Sequence, residues 1–331
     1  MKIIIPLAGF GKRLRPHTYS KPKPLLNVAG KAVLGHVLDK LQGLDIEEII
    51  FIVGYLGEQI EKYVTANYDF PAHYLEQKEL LGQAHAIRLA REHVEGDVLI
   101  LFVDTIFEAD LVPLRDLPND GVIYCKEIDD PRRFGVVTLG DEGFITRFVE
   151  KPAKPISNLA VIGLYYVKDG PALFSAIDEL IERDIKTKGE YFLADALQIL
   201  VGRGQRFNAW TVEVWEDCGT PEAVLHTNRY LLGHGHDNGG EAQTVNSVII
   251  SPVHIASTAK VRDSVIGPYV TIGEGAKVRC SIVRDSIIDA GATIEDAMLD
   301  QSLVGKDALV RGRFRRFNVG DSSAVDFSPT L

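Results

Sequence analysis

The sequence predicts an α/β domain built on a mostly parallel mixed sheet flanked by helices, followed by a parallel β-helix. Three observations predict it. The first part of the chain alternates β-branched apolar runs with segments of helical spacing. After Val245 helical spacing stops, and single Ile or Val residues recur every six positions. The length, 331 residues, exceeds one ordinary compact domain and suits two.

The elements follow in order. Lys2 to Leu7 carries the β-branched run Ile3-Ile4-Ile5, the mark of a central parallel strand buried on both faces. Gly9 to Pro24 is a loop rich in Gly, Pro and basic residues. Val33 to Leu41 has apolar residues at helical spacing. Glu48 to Val53 reads as a strand, Ile60 to Val64 as part of a short helix, and Ala72 to Leu75 as a short strand. Ala84 to Glu92 is helical and Asp97 to Val103 is a third long apolar strand. This alternation implies right-handed crossovers and a Rossmann-like sheet. Further strands are expected at Gly121–Lys126, Gly135–Leu139, Phe144–Val149 and Asn158–Val167, with helices at Pro171–Glu182 and Tyr191–Val201. The first domain is expected over residues 1–232, a polar Gly/His/Asn linker over 233–244, and the β-helix over 245–331. His234 and His236 read as solvated linker residues rather than metal ligands.

In the last part, Ile266, Ile272 and Val278 are six apart, as are Ile255 and Val261, Ile288 and Ile294, and Val304 and Val310. Ile255, Ile272, Ile288 and Val304 step by 17, 16 and 16 residues. That is close to three hexapeptides per coil, with Gly or Ala expected near the corners. This stretch resembles the hexapeptide-repeat family, which implies a left-handed β-helix of some four coils over Val245 to Val310.

Composition narrows the function. Hydrophobic residues are 46% and charged residues 25%, a soluble globular balance. A formal net charge of -10 argues against a nucleic-acid partner, because phosphate backbones need a basic face. No run of 18 apolar residues exists, so no membrane partner is expected. The apolar start is cut off by Pro6 and is too short for a secretory signal. Three widely spaced cysteines suggest neither a zinc knuckle nor disulfides, and point to the cytoplasm.

The chemistry begins in the first loop. Gly9 and Gly11 let backbone approach a ligand, consecutive amides there can form an anion nest, and Lys12, Arg13 and Arg15 add cationic donors. The dinucleotide fingerprint fails at Leu14, where its third glycine belongs. The Walker loop fails because Arg13 follows Gly11-Lys12 and Pro6 stands at its first glycine. What remains is Leu-Ala-Gly-x-Gly-x-Arg-Leu-x-Pro-x-Thr followed by Lys21-Pro22-Lys23-Pro24. Flanking prolines stiffen Lys23, which suits a positioned charge. An amide at Gln77 offers a donor and an acceptor to a base edge. Asp104, at the carboxyl end of an apolar strand, lies where ligands collect in α/β sheets and has the oxygen chemistry for Mg2+.

Together these motifs resemble the sugar-nucleotide pyrophosphorylases, which join a sugar-1-phosphate to a nucleoside triphosphate, and the resemblance runs from Lys2 to about Arg229. It implies that Arg13 and Lys23 are catalytic and that Leu7, Ala8, Gly9, Gly11, Gln77 and Gly82 bind the nucleotide. It implies Mg2+ on Asp104 and Asp217, the latter within Trp215-Glu-Asp-Cys-Gly219. It assigns the sugar phosphate to Gly135, Glu150, Lys151 and Val161, with Lys188 a second candidate for the phosphate. Two departures stand out: Val103 replaces the glycine usual before Asp104, and Phe134 replaces a common tyrosine. His85 reads as structural or supporting.

The expected reaction is Mg2+-dependent transfer from dTTP or UTP to glucose-1-phosphate. The alternatives are guanylyl transfer to mannose-1-phosphate, a binding protein that has lost the chemistry, and a separate activity in the β-helix. For the β-helix, a structural role in a homo-oligomer is expected, because its ends and flanks leave apolar edges to cover.

Overall fold

The computed structural model describes residues 1–239 and 244–312. Its chain divides into two compact units, Met1–Gly235 and His236 onward. In the first unit, β1 (Lys2–Pro6) is central, and Ile3, Ile4 and Ile5 are fully buried. A two-residue-stranded hairpin, β2 (Asn27–Val28) and β3 (Lys31–Ala32), precedes α1 (Val33–Asp39). Then come β4 (Glu48–Val53), α2 (Gly57–Asn67), β5 (Ala72–Glu76), α3 (Gln83–Arg88) and β6 (Val98–Leu101). Strands β6, β1, β4 and β5 lie side by side and parallel, as the alternation of runs requires.

The sheet turns antiparallel on its other side. There β11 (Leu159–Val167) pairs with β6, with β8 (Gly121–Glu127) and with β9 (Gly135–Leu139), and β10 (Ile145–Glu150) closes against β9. Helices α4 (Gly170–Glu182) and α5 (Leu193–Gly202) cover one face with Phe174, Ile177 and Leu197, all buried. Burial of such side chains is worth about 1.5–3 kcal/mol each. The core sits between these helices and the sheet, leaving the carboxyl ends of the parallel strands open.

Besides the β2–β3 hairpin, four elements fall outside the sequence expectation: β7 (Thr105–Glu108), β12 (Phe207–Thr211), β13 (Val214–Asp217) and α6 (Pro221–Leu231). Strand β12 pairs parallel with β8, and β13 pairs antiparallel with β7 as a separate ribbon. The helix expected at Ala84–Glu92 ends at Arg88 and continues as a short 3-10 turn, Arg91–His93.

Within the polar stretch 233–244, His234 Nδ1 lies 2.7 Å from the Tyr230 carbonyl oxygen. Asn238 bonds the Ile255 backbone through both ends of its amide. Thr244 pairs with Val261. The expected linker positions 240–243 and the domain's tail, 313–331, lie outside the described residues.

The second unit is a parallel β-helix with three faces. Ile255, Ile272, Ile288 and Val304 stack in register on one. Val261, Val278, Ile294 and Val310 stack on the next, and Ile266, Val283 and Leu299 on the third. The six-residue intervals therefore join successive faces of one coil. The corners differ from expectation. One is turned by Asn246, Asp263, Cys280 and Asp296, each at positive φ, rather than by Gly or Ala. Short polar side chains tolerate that conformation. Beside this corner the Ser264 N–H donates to Ser247 Oγ, Ser281 N–H to Ser264 Oγ, and Ala297 N–H to Ser281 Oγ. This hydroxyl column satisfies amides that the turn would otherwise orphan.

Candidate active site

The first loop leaves β1 beside β4, where the Leu7 N–H donates to the Ile52 carbonyl at 2.7 Å. Gly11 then takes φ +59°, and Lys12 opens a right-handed 3-10 turn. A left-handed residue followed by a right-handed one makes successive N–H groups converge, which is the nest expected of this loop. A Cβ at Gly11 would sit 3.1 Å from Cβ of Lys23 and 3.1 Å from Cγ2 of Thr18. The Thr18 hydroxyl donates to the Gly11 carbonyl at 2.9 Å. The loop thus folds onto itself and carries Lys23 inward, its side chain only 15% exposed and its Nζ 3.5 Å from Asp104 Oδ2.

Two cavities meet along the carboxyl edge of the parallel strands. Leu7, Ala8, Gly9, Lys23, Gln77 and Gly82 line the first. Arg13, Gly135, Glu150, Lys151, Val161 and Asp217 line the second. Asp104, Gln83 and Phe102 line both, so the Asp104 carboxylate stands at the junction. Gly11 and Lys188 do not line either. Gly11 packs beneath Lys23, and Lys188 donates its Nζ to the Lys151 carbonyl at 3.4 Å.

Gln77 is buried on a loop whose start is fixed by its own N–H bonding the Val53 carbonyl at 2.8 Å. Its amide nitrogen lies 3.5 Å from His85 Nδ1. At Gly82 the chain takes φ +120°, and a Cβ there would lie 2.5 Å from the Tyr191 carbonyl oxygen. The Tyr191 N–H donates to Leu81, and the Ala84 N–H donates to Tyr191. These bonds place the Glu190-Tyr191 segment against the first cavity, and Glu190 lines it.

Asp104 and Asp217 are far apart in sequence and adjacent in space. The β7–β13 ribbon sets Asp217 opposite Thr105, and the Cys218 N–H donates to the Asp104 carbonyl at 2.8 Å. The Gly219 N–H donates to Asp217 Oδ1 at 2.8 Å. Thr227 of α6 donates its hydroxyl to the Asp217 carbonyl at 2.8 Å, fixing the strand end from behind. Val103 is buried, and the carboxylate beside it still faces both cavities despite the missing glycine. Two carboxylates fit a hard cation that keeps water and phosphate ligands.

In the second cavity, Gly135 pairs with Glu150 across β9 and β10, and a Cβ there would lie 2.8 Å from Glu150 Oε2. A side chain at 135 would therefore displace that carboxylate from its present position. The Lys151 Nζ lies 3.1 Å from Glu150 Oε1 and sits over the Phe192 ring. Burial raises the Glu150 carboxyl above its ordinary range; Lys151 opposes the rise and Asp195 adds to it. An acid with a raised folded pKa contributes stability that is present below the ordinary carboxylate value and lost as pH climbs through the raised one. At neutral pH the ionised Glu150 is thus held at a cost, and its side chain is only 10% exposed. Glu150→Gln is expected to melt above wild type at about pH 7, with the gap closing near pH 4. Loss of the half-exposed Lys151 partner subtracts little. Scanning calorimetry at the two pH values checks this, and a wild type more stable than the variant at neutral pH contradicts it.

Sequence reasoning missed four residues here. Gln83 starts α3 between the cavities. Arg133 adds a guanidinium to the second, with the adjacent Arg132 paired to Asp130. Trp215 packs edge-on to Phe134, centroids 4.8 Å apart, and its buried indole N–H has no hydrogen-bond partner among the described residues. Asp195, in the first turn of α5, has one buried carboxylate oxygen in the same condition. Orphaned buried polar atoms cost about 1–3 kcal/mol each. Trp215 stood within a noticed motif, two residues before Asp217; Asp195 and Arg133 gave no comparable signal.

A glycine-bearing basic loop faces a carboxylate pair across the carboxyl edge of a parallel sheet, an arrangement suited to nucleotidyl transfer. Comparison with known proteins places it: the chain belongs to the nucleotidyl transferase family, which it matches over residues 2–233. Residues 238–294 match the family described as GlmU-like, C-terminal hexapeptide, so the second unit is a left-handed β-helix. The nucleotidyltransferase Agl11 of low-salt glycan biosynthesis from Haloferax volcanii is 31% identical over 98% of this chain and 99% of its own. A glucose-1-phosphate thymidylyltransferase from Streptomyces antibioticus is 29% identical over 98% of this chain and 99% of its own. The UTP–glucose-1-phosphate uridylyltransferase AglF of Haloferax volcanii is 34% identical over 67% of this chain and 93% of its own. A UDP-glucose pyrophosphorylase crystallised with UDP-glucose superposes with TM-score 0.63 at 23% identity, covering 70% of this chain and 98% of the other, and supports the fold. Among the described residues, no helix is long and apolar enough to cross a membrane.

Proposed function

We propose that the protein transfers a nucleoside monophosphate from UTP or dTTP to glucose-1-phosphate and releases pyrophosphate. One observation carries this reading: Lys23 and Asp104 stand together where a nucleotide-sized cavity opens into a second one lined by Glu150, Lys151 and Arg133. The α-phosphoryl group belongs at that junction. A phosphate oxygen of the sugar-1-phosphate attacks the α-phosphorus as the bond to the bridging oxygen of pyrophosphate breaks. The attacking oxygen is already ionised, so no general base is needed.

The chain's own work is positioning and charge neutralisation. The Gly9–Gly11 amides hold the triphosphate, Lys23 and Arg13 meet charge on the transferring and departing phosphoryl groups, and Gln77 reads the base edge. Lys151, Arg133 and Lys188 attract the sugar phosphate, and Glu150 accepts from sugar hydroxyls. Asp104 and Asp217 would hold Mg2+, which would add to the neutralisation of phosphate charge. The choice of pyrimidine rests on the buried Gln77 amide and on relatives named as thymidylyl- and uridylyltransferases. The β-helix is assigned a structural or assembling role within a homo-oligomer. The reaction is assigned to the cytoplasm, where unpaired buried thiols such as Cys125 and Cys218 persist.

Pyrophosphate release measured across four nucleoside triphosphates and a set of hexose-1-phosphates tests the reading. UTP or dTTP with glucose-1-phosphate is expected to give the highest kcat/KM. A preference for GTP with mannose-1-phosphate overturns the substrate assignment, and no release with any pair overturns catalysis.

A further inference from the structure

At the amino end of the sheet, opposite the edge that bears the active site, three ligating side chains converge. Glu48 is the first residue of β4, His73 the second of β5, and His93 ends the 3-10 turn ahead of β6. One ligand atom from each lies within 4.8 Å of the other two. The imidazole centroids are 4.1 Å apart with planes tilted by 43°. His93 Nδ1 is 3.6 Å from Glu48 Oε2. All three are half-buried; Glu48 and His73 stand on the paired strands β4 and β5, and His93 on a 3-10 turn whose His93 N–H is tied to the Ala90 carbonyl at 3.0 Å.

The geometry points to a second metal site: Glu48, His73 and His93 bind a divalent transition-metal ion, with Zn2+ the best match, independently of catalysis. Two imidazoles and one carboxylate are a borderline-soft set that suits zinc and leaves a fourth position to water. The carboxylates at the active site offer oxygen only, so the two sites differ in the ion they prefer. The nearest other charge is Lys2, whose Nζ lies 3.4 Å from Glu48 Oε2. Lys2 is partly exposed on the first strand, and its flexible stem lets the ammonium withdraw when a metal takes the carboxylate. Bound metal would pin edge strand β5 and the turn before β6 to the start of β4.

The test is a zinc titration of the full chain by calorimetry, with Mg2+ in excess to fill the oxygen-only site. One zinc per chain is expected. His73→Ala and His93→Ala are each expected to weaken it at least about tenfold, since even outer-shell partners of a metal are worth that much. Lys2→Met is expected to tighten it. Zinc at about 100-fold above its dissociation constant should raise the melting temperature by roughly 5 °C or more in wild type and not in His73→Ala. If the histidine variants fail to fold, Glu48→Gln, nearly the same shape, carries the test through the same loss of affinity. Wild type that takes up no zinc, or zinc affinity unchanged in the variants that fold, overturns the proposal. Substrate turnover does not enter these readouts, so they stand apart from the catalytic reading.

Discussion

Lys23→Ala is expected to lower kcat for pyrophosphate release about 100- to 1,000-fold, the scale of one lost oxyanion donor. The expectation rests on three features of the structure. Prolines at 22 and 24 restrict the backbone, Gly11 allows the side chain to pack inward, and that side chain is 15% exposed with its ammonium beside Asp104. A charge so placed interacts across a low-dielectric space and reorganises little as the phosphoryl group moves. The effect should fall on kcat more than on KM, because charge builds on the departing pyrophosphate only in the transition state. Steady-state kinetics with the preferred substrate pair measure the split, and turnover within about twofold of wild type would remove Lys23 from the mechanism.

The second large effect is expected at Gly82. Its backbone sits at φ +120° and ψ 178°, a region essentially open to glycine alone. A methyl group there also meets both the nitrogen and the carbonyl oxygen of Tyr191, at 2.6 and 2.5 Å. Neither can retreat without breaking the bonds that join Tyr191 to Leu81 and Ala84. Gly82→Ala should cost about 3 kcal/mol of stability and a melting temperature lower by roughly 6 °C or more. Nucleotide affinity should fall with it, because Gln77 is held on the same loop. Denaturant unfolding and nucleotide titration of the one variant check both, and an unchanged melting temperature would mean the loop is free to rearrange.

The parallel half of the sheet was legible because its strands are apolar on both faces, and Ile3-Ile4-Ile5 admits few other readings. The β-helix was legible because each coil repeats one inward residue per face. Helix α6 was missed because it carries polar residues in buried places. Helix α6 buries Thr227 and Asn228 completely, since one bonds Asp217 and the other accepts from the Ala29 N–H. Its apolar pattern is thereby broken, although Thr220 caps it and Pro221 starts it in the usual way. Strands β7 and β13 are four residues long and pair only with each other, leaving too little pattern to read. The site was legible wherever a motif spans consecutive residues, as from Leu7 to Lys23. It was not legible at Arg133 and Gln83, which reach the cavities only as separate elements pack, nor at Asp195, whose charge acts on Glu150 from α5.

The stacking of the second unit has a consequence for how this chain can change. Ile255, Ile272, Ile288 and Val304 meet the same neighbours in successive coils, offset by 17, 16 and 16 residues. Each coil contacts only the ones above and below it, and the serine column lends each its amide acceptors. The unit is a ruler graduated in whole coils. Duplicating or deleting one complete coil keeps every inward residue inward, while inserting a single residue turns every later Ile and Val of that strand to the outer face. Length can therefore be gained or lost here by whole coils of 16 or 17 residues.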